Sequence, residues 1–258
     1  MLQGVSEMQR FVVCLAYDGS AFQGWQKQPN ERTVQGELER ALDEIAKEPV
    51  KTIGSSRTDT GVHALDQYAH FDFPVKMNPD QIRLALTTKL DKDIKIIKVY
   101  RVPEDFNVRY QAMGREYRFL IAKELTPFNR LYKSYFPKHK IVTDKIEECL
   151  PLLIGKNDFE FFCQKNEDLH TFISDVSYCN FVEKDDEYIF EIKADRFLHN
   201  MVRRIVGTLI RLSNNDQADR IIKELLSQNR EYLHLVYTAP PQGLYLVKVF
   251  YPVGVLKD

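Results

Sequence analysis

The chain has 258 residues, of which 44% are hydrophobic and 28% charged, and its formal net charge at pH 7 is −1. That length holds one large domain or two modest ones and suits a soluble globular protein, while the neutral balance argues against a protein that simply coats nucleic acid with a strongly basic surface. No apolar run approaches a membrane span, and Phe11 to Tyr17 is too short for a signal-peptide core, so the cytoplasm is the expected location and no membrane is expected as a partner.

Residues 1–9 are expected to be a disordered extension. Phe11 to Tyr17 then reads as a buried strand. The Gly-punctuated stretch YDGSAFQGWQKQPN (Tyr17 to Asn30) follows and carries the only tryptophan, Trp25, close to Lys27. An exposed aromatic beside a lysine suits stacking on bases, and a tryptophan tucked into the core is the plain alternative. Thr33 to Glu48 has Val34, Leu38, Ala41, Leu42 and Ile45 at helical spacing, with Thr33 as N-cap and Pro49 as the stop. Val50 to Gly54 reads as a strand, Gln67 to Phe73 as another, and Asn78-Pro79 opens a helix to about Leu90. Ile94 to Val102 is the next strand. The order β-α-β-β-α-β is the split βαβ pattern.

The order then repeats. Glu116 to Ala122 reads as a strand and Asp144 to Ile154 as a helix. Thr171 to Val182 and Tyr188 to Ala194 read as a hairpin, Phe197 to Leu212 and Asp216 to Ser227 as helices, and Leu244 to Tyr251 as a closing strand. The expectation is an α+β protein of two ferredoxin-like halves, 10–112 and 113–258. Their antiparallel sheets are expected side by side, with helices on one face and the other face free. The four cysteines, Cys14, Cys149, Cys163 and Cys179, show no CxxC pair and read as buried small hydrophobes.

Between the second and third strands lies SSRTDTGVHA, Ser55 to Ala64. If that loop is extended, Arg57 and Asp59 project to one side, and Gly61 is free to take positive φ. A charged loop held by two strands is a common place for chemistry, although an aspartate capping its own turn fits the same letters. GREYRFL (Gly114 to Leu120) sets Tyr117 on a strand between Arg115 and Arg118. FLHNMVRRIVGTL (Phe197 to Leu209) places Arg203 and Arg204 in an apolar helix, where an arginine on the buried face needs an anionic partner. APPQGLYL (Ala239 to Leu246) is a Pro-Gly turn into the last strand, and NDFEFF (Asn157 to Phe162) an acidic-aromatic turn. Local basic clusters are Lys27 with Arg32, Arg109 with Arg115 and Arg118, the run Arg130 to Lys140, and Arg203 with Arg204. Any of them can be a solvated face, and any can steer a polyanion although the total charge is near zero. No cluster has metal-ligand spacing, which counts against a metal-dependent hydrolase built on Asp59 and His63.

RTDTGVHA, YDGSAFQGWQ, the Arg-x-Tyr strand, FLHNMVRRIVGTL and the Pro-Gly-Leu-Tyr-Leu ending occur in this order in the TruA family of tRNA pseudouridine synthases, and the chain resembles that family from about Arg10 to Tyr251. The resemblance implies the pseudouridine synthase fold. It also implies isomerisation of uridine to pseudouridine in tRNA, typically at positions 38–40 of the anticodon stem-loop, without cofactor or metal and by a homodimer. Asp59 falls on the family's catalytic aspartate, Arg203 on the arginine that pairs with it, and Tyr117 on the tyrosine that stacks on the target base. Arg57 falls on the arginine that holds the flipped-out conformation and Leu244 on an apolar position near the flipped uracil. Lys27, Arg115 and Trp25 are taken as RNA contacts. His63 is expected to fix loop geometry. The chain departs from the family pattern at Ser56, where glycine is usual, at Phe106 to Arg109, and at Asn157. A non-catalytic RNA-binding module on paired ferredoxin-like sheets is the alternative reading; the full set of Asp59, Tyr117 and Arg203 favours the enzyme.

Overall fold

A computed structural model describes residues 8–165 and 171–256. In chain order its elements are β1 (Gln9–Tyr17), α1 (Val34–Ala46), β2 (Thr52–Gly54), β3 (His63–Phe73), α2 (Pro79–Lys89), β4 (Ile94–Arg101), β5 (Gly114–Ala122), α3 (Thr143–Leu153), β6 (Gly155–Asp158), β7 (Ile173–Glu183), β8 (Glu187–Ala194), α4 (Met201–Leu212), α5 (Ala218–Leu226) and β9 (Leu244–Phe250). The fold is α+β. Two compact units are present: the first runs to Met113 and resumes at Leu246, and the second is Gly114–Tyr245. The closing stretch from Leu246, expected with the second half, is part of the first unit. The expected extension lies outside the described residues over 1–7, and Gln9 already pairs with Phe73 in the sheet.

The first unit follows the predicted β-α-β-β-α-β order. Its sheet runs β4-β1-β3, with β2 and β9 on the far side of β3, and the pairings of β1 with β3 and β4, and of β2 with β3, are antiparallel. β1 is central. Phe11, Val12, Val13 and Leu15 are fully buried, which explains a continuous apolar run where an edge strand would alternate. Phe11 lies opposite Phe71, their rings stacked at 6.1 Å. α1 begins where the Thr33 hydroxyl accepts from the Gly36 N–H at 3.2 Å and ends at Lys47, whose φ is +61°. The buried Val34, Leu38, Ala41 and Leu42 form its inner face, and each large aliphatic side chain so buried contributes about 1.5–3 kcal/mol. Asn78 and Gln81 form a capping box at the start of α2, with Pro79 at the first helical position.

The return of the chain to the first unit follows from its apolar residues. Val12, Val102, Phe106 and Val108 form a buried cluster against which Tyr251, Val255 and Leu256 pack. The Tyr251 hydroxyl donates to the Val108 carbonyl at 2.7 Å, and the Val249 N–H donates to Asp66 Oδ2 at 3.1 Å.

β3 starts four residues earlier than predicted, because Ala64 pairs with Tyr17 beyond a bulge in β1. The polar letters His63, Asp66 and Gln67 hide this from a reading of hydrophobic alternation.

His70 on β3 is 4% exposed, and its Nδ1 accepts the Val108 N–H at 3.4 Å. Burial, helped by the Arg10 and Arg109 guanidinium groups and opposed by Asp72, pushes its pKa from the usual 6.5 down to about 4. Below pH 6.5 the unfolded chain therefore binds a proton that the native chain does not. Stability is fully present above pH 6.5 and is expected to fall by up to about 3 kcal/mol as pH drops towards 4. Urea unfolding at pH 7 and pH 4.5 measures this, and His70→Gln, which does not titrate, should remove that part of the slope.

In the second unit the sheet order is β5-β8-β7-β6, all antiparallel. Phe119 opposes Phe190 and Tyr117 opposes Ile192. The β7–β8 hairpin is as predicted, but two features differ. Asn157 and Asp158, read as part of a turn, end the short strand β6 and pair with Ser174 and Ile173. α4 starts at Met201, not Phe197, because Asn200 has φ +62° and breaks the helical path before it. The thiols of Cys14, Cys149 and Cys163 are buried and Cys179 is half-buried; none is in a disulfide. Among the described residues no helix is long and apolar enough to cross a membrane.

Candidate active site

The Ser55-to-Val62 loop is built from below by the Gly-rich stretch that precedes α1. The Trp25 N–H donates to the Thr58 carbonyl at 3.0 Å, and the Gly61 N–H donates to the Phe22 carbonyl at 3.3 Å. Gly24 sits at φ +81°, and a Cβ there would come within 2.7 Å of the Thr58 oxygen, so glycine is required both for the turn and for the backbone approach. The Thr58 side chain points inward, its hydroxyl 2.7 Å from the Tyr17 hydroxyl. Tyr17 is buried, and burial pushes its pKa up to about 12, so it stays a neutral phenol. His63 is also buried. Its Nδ1 accepts the Gly19 N–H at 3.0 Å and lies 3.2 Å from Asp18 Oδ1, which ties the end of the loop to the turn after β1.

The residues on either side of Thr58 are more accessible than it is. Arg57 is exposed and Asp59 is half-buried, and the Asp59 carbonyl accepts the Val62 N–H at 3.1 Å. Of the three residues Arg57 to Asp59, only Thr58 is buried. Lys27, on the same stretch as Trp25, is half-exposed and pairs with Glu39 at 2.9 Å.

The other residues singled out are in the second unit. Tyr117 is 8% exposed, with its ring edge-to-face on Phe197 at 5.0 Å. Arg115 donates to the Asp195 carbonyl at 3.1 Å. Leu244 is buried at the start of β9. Arg203 is half-buried on α4; its Nε donates to the Ala239 carbonyl and its Nη1 to Asn200 Oδ1, both at 2.8 Å. Asn200 in turn donates to Gln164 Oε1 at 2.8 Å. Two bonds at fixed angles hold a planar guanidinium in one orientation. The sequence reading passed over Asn200 because it counted that residue inside the helix. Gly207 lets the 237–239 stretch lie on α4: a Cβ there would meet the Tyr237 oxygen at 2.2 Å. Arg204 points elsewhere and donates to the Phe161 and Cys163 carbonyls at 3.3 and 2.6 Å.

Several residues of the basic clusters are in ion pairs. Arg32 reaches Asp93 at 2.7 Å, Arg118 reaches Glu191 at 2.9 Å and Lys133 reaches Glu187 at 2.8 Å. Among the described residues no group of three or more His, Cys, Asp or Glu side chains is placed to hold a metal ion.

A sequence model of the family described as tRNA pseudouridine synthase matches residues 13–111 and 150–252. The chain belongs to that family. Among its relatives, tRNA pseudouridine synthase A of Listeria monocytogenes serotype 4a is 38% identical over 249 residues, covering 95% of this chain and 100% of the relative. The protein of the same name from Brachyspira hyodysenteriae is 36% identical over 247 residues, covering 95% of this chain and 99% of the relative. Of solved structures, a Cbf5-Nop10-Gar1 complex aligns with 10% identity and a TM-score of 0.37, covering 95% of this chain and 59% of that one.

Within this tRNA pseudouridine synthase one expected RNA contact needs correcting. Trp25 is 1% exposed and offers no face to a base. Its indole packs against Gly54, where a Cβ would fall 2.4 Å from the ring, and lies 6.2 Å from the Tyr17 ring. Trp25 is the floor of the loop that carries Arg57 and Asp59.

Proposed function

We propose that this chain isomerises uridine to pseudouridine in tRNA, at positions 38–40 of the anticodon stem-loop. The observation that carries the reading is 38% identity over nearly the full chain to a protein named tRNA pseudouridine synthase A, together with a half-buried Asp59 in the clamped loop. The reaction breaks the N1–C1′ bond, turns the uracil and joins C5 to C1′. C5 gives up its proton and N1 carries one in the product, so the balance calls for no oxidant or reductant.

In this reading Asp59 is the reacting carboxylate, attacking C1′ or taking a proton from the ribose. Arg203 is its charge partner, favouring the ionised form. Tyr117 stacks on the target base and takes part in removing the C5 proton. Leu244 supplies apolar contact to the uracil. Arg57 holds the base out of the stack, where extrusion costs a few kcal/mol. Lys27 and Arg115 contact the RNA backbone. The chain acts as a homodimer in the cytoplasm.

The experiment is pseudouridine mapping on unmodified tRNA transcripts with purified protein, EDTA present and nothing else added. Pseudouridine at 38–40 is expected. Pseudouridine elsewhere would keep the reaction and change the target. Tight tRNA binding without product would replace the enzyme with a binding module.

A further inference from the structure

We propose that Gln67 is a positioning residue for Asp59, acting through the backbone of the loop; the proposal rests on the reading of Asp59 given above. β2 pairs with β3 over Thr52–Gly54, and one more sheet bond follows, from the Ser55 N–H to the Tyr68 carbonyl at 2.8 Å. There the ladder stops, four residues before Asp59. From Ser56 onward the chain leaves β3 and has no sheet partner to fix its path.

The Gln67 side chain takes over at that point. Its Oε1 accepts the Ser56 N–H at 3.2 Å and its Nε2 donates to the Ser56 carbonyl at 2.8 Å. One side-chain amide thus bonds both backbone groups of Ser56, as a strand neighbour would. Oε1 also accepts the Ser55 hydroxyl at 2.8 Å and the Tyr68 N–H at 3.2 Å. Two backbone N–H groups at one end of the amide and a carbonyl at the other leave one choice of which atom is oxygen.

A relay continues from the nitrogen. Nε2 lies 3.4 Å from the Tyr17 hydroxyl, which is 2.7 Å from the Thr58 hydroxyl. Gln67 therefore restrains the loop at Ser55, Ser56 and, through Tyr17, at Thr58, the residue before the carboxylate. It is 0% exposed, so water does not compete for these bonds. A buried glutamine that uses both ends of its amide on one loop is a costly way to build a strand, since an aliphatic residue would fill the same space. Its value lies in holding a reacting group to within a fraction of an ångström, and misplacement by about 1 Å can cost on the order of a hundredfold in rate.

Two variants test this with single-turnover pseudouridylation at saturating protein, reading the rate constant separately from the amplitude. Gln67→Glu keeps the acceptor and loses the donor to Ser56, while Tyr17→Phe keeps the ring and loses only the hydroxyl of the relay. Wild type and Asp59→Asn run beside them. Product from wild type and none from Asp59→Asn secures the reading of Asp59; if that control fails, the fault lies in that reading. With the control secure, the rate constant is expected to fall at least tenfold in Gln67→Glu and severalfold in Tyr17→Phe, with tRNA affinity within threefold of wild type. A purely structural role would lower the melting temperature and the amplitude and leave the rate constant of the folded fraction unchanged. That result in both variants overturns the proposal. If Gln67→Glu does not fold, Tyr17→Phe alone decides.

Discussion

Asp59→Asn is expected to remove pseudouridine formation and to leave the folded protein in place. The change keeps the shape of the side chain and deletes its charge and its ability to attack or take a proton. Loss of a single reacting group of this kind lowers turnover by about a thousandfold or more. The backbone bonds that shape the loop, from Trp25 to the Thr58 carbonyl and from Val62 to the Asp59 carbonyl, do not involve the carboxylate. The variant should therefore still unfold in one cooperative transition, so that loss of product is not loss of the fold. Binding of tRNA should persist, since phosphate contacts supply most of such affinity. A variant that keeps a tenth of wild-type turnover would remove Asp59 from the chemistry.

Trp25→Ala is expected to be the most destabilising single change in the first unit. A fully buried tryptophan truncated to alanine leaves a cavity under the loop and costs about 3–5 kcal/mol. For a chain of this size that lowers the unfolding midpoint by roughly 10 °C. Turnover at low temperature should fall as well, because the loop that carries Asp59 loses its floor. A tryptophan that stacks on a base behaves in the opposite way: affinity drops by about 1–3 kcal/mol per lost stack and the melting temperature stays. An unchanged midpoint with weakened tRNA binding would restore the stacking role and refute the buried one.

Trp25 also shows where a sequence reading stops. Its position among glycines and beside Lys27 suits an exposed aromatic as well as a buried one. What decides the matter is Gly54, nearly thirty residues on, whose missing side chain opens the slot for the indole. The pairing is tertiary, and no local pattern contains it. Gln67 escaped for a related reason: a polar letter in a strand suggests the solvent face, and only the end of the β2 ladder makes it an interior hydrogen-bonding residue. The early start of β3 and the strand at Gly155–Asp158 are also carried by polar residues, to which hydrophobic periodicity is blind. The helices and the apolar strands were legible because their burial is one-dimensional, with a face repeating at 3.6 residues or a run of aliphatics. The loop that holds Arg57 and Asp59 was legible from its charged letters between two strands, but the inward turn of Thr58 onto Tyr17 was not, because that contact is tertiary.

The return of the chain from Leu246 to the first unit has a bearing on synthesis. Translation delivers the strands around Asp59 early, but the residues that finish their sheet leave the ribosome only after Gly114–Tyr245, a delay of roughly ten seconds at ordinary rates of synthesis. In that interval β3 lacks β9, Asp66 lacks the Val249 N–H, and the Val108 carbonyl lacks the Tyr251 hydroxyl. A nascent sheet with an open edge invites pairing with other chains. The segment made first is thus the last to be completed, and its safe passage depends on how soon the tail arrives.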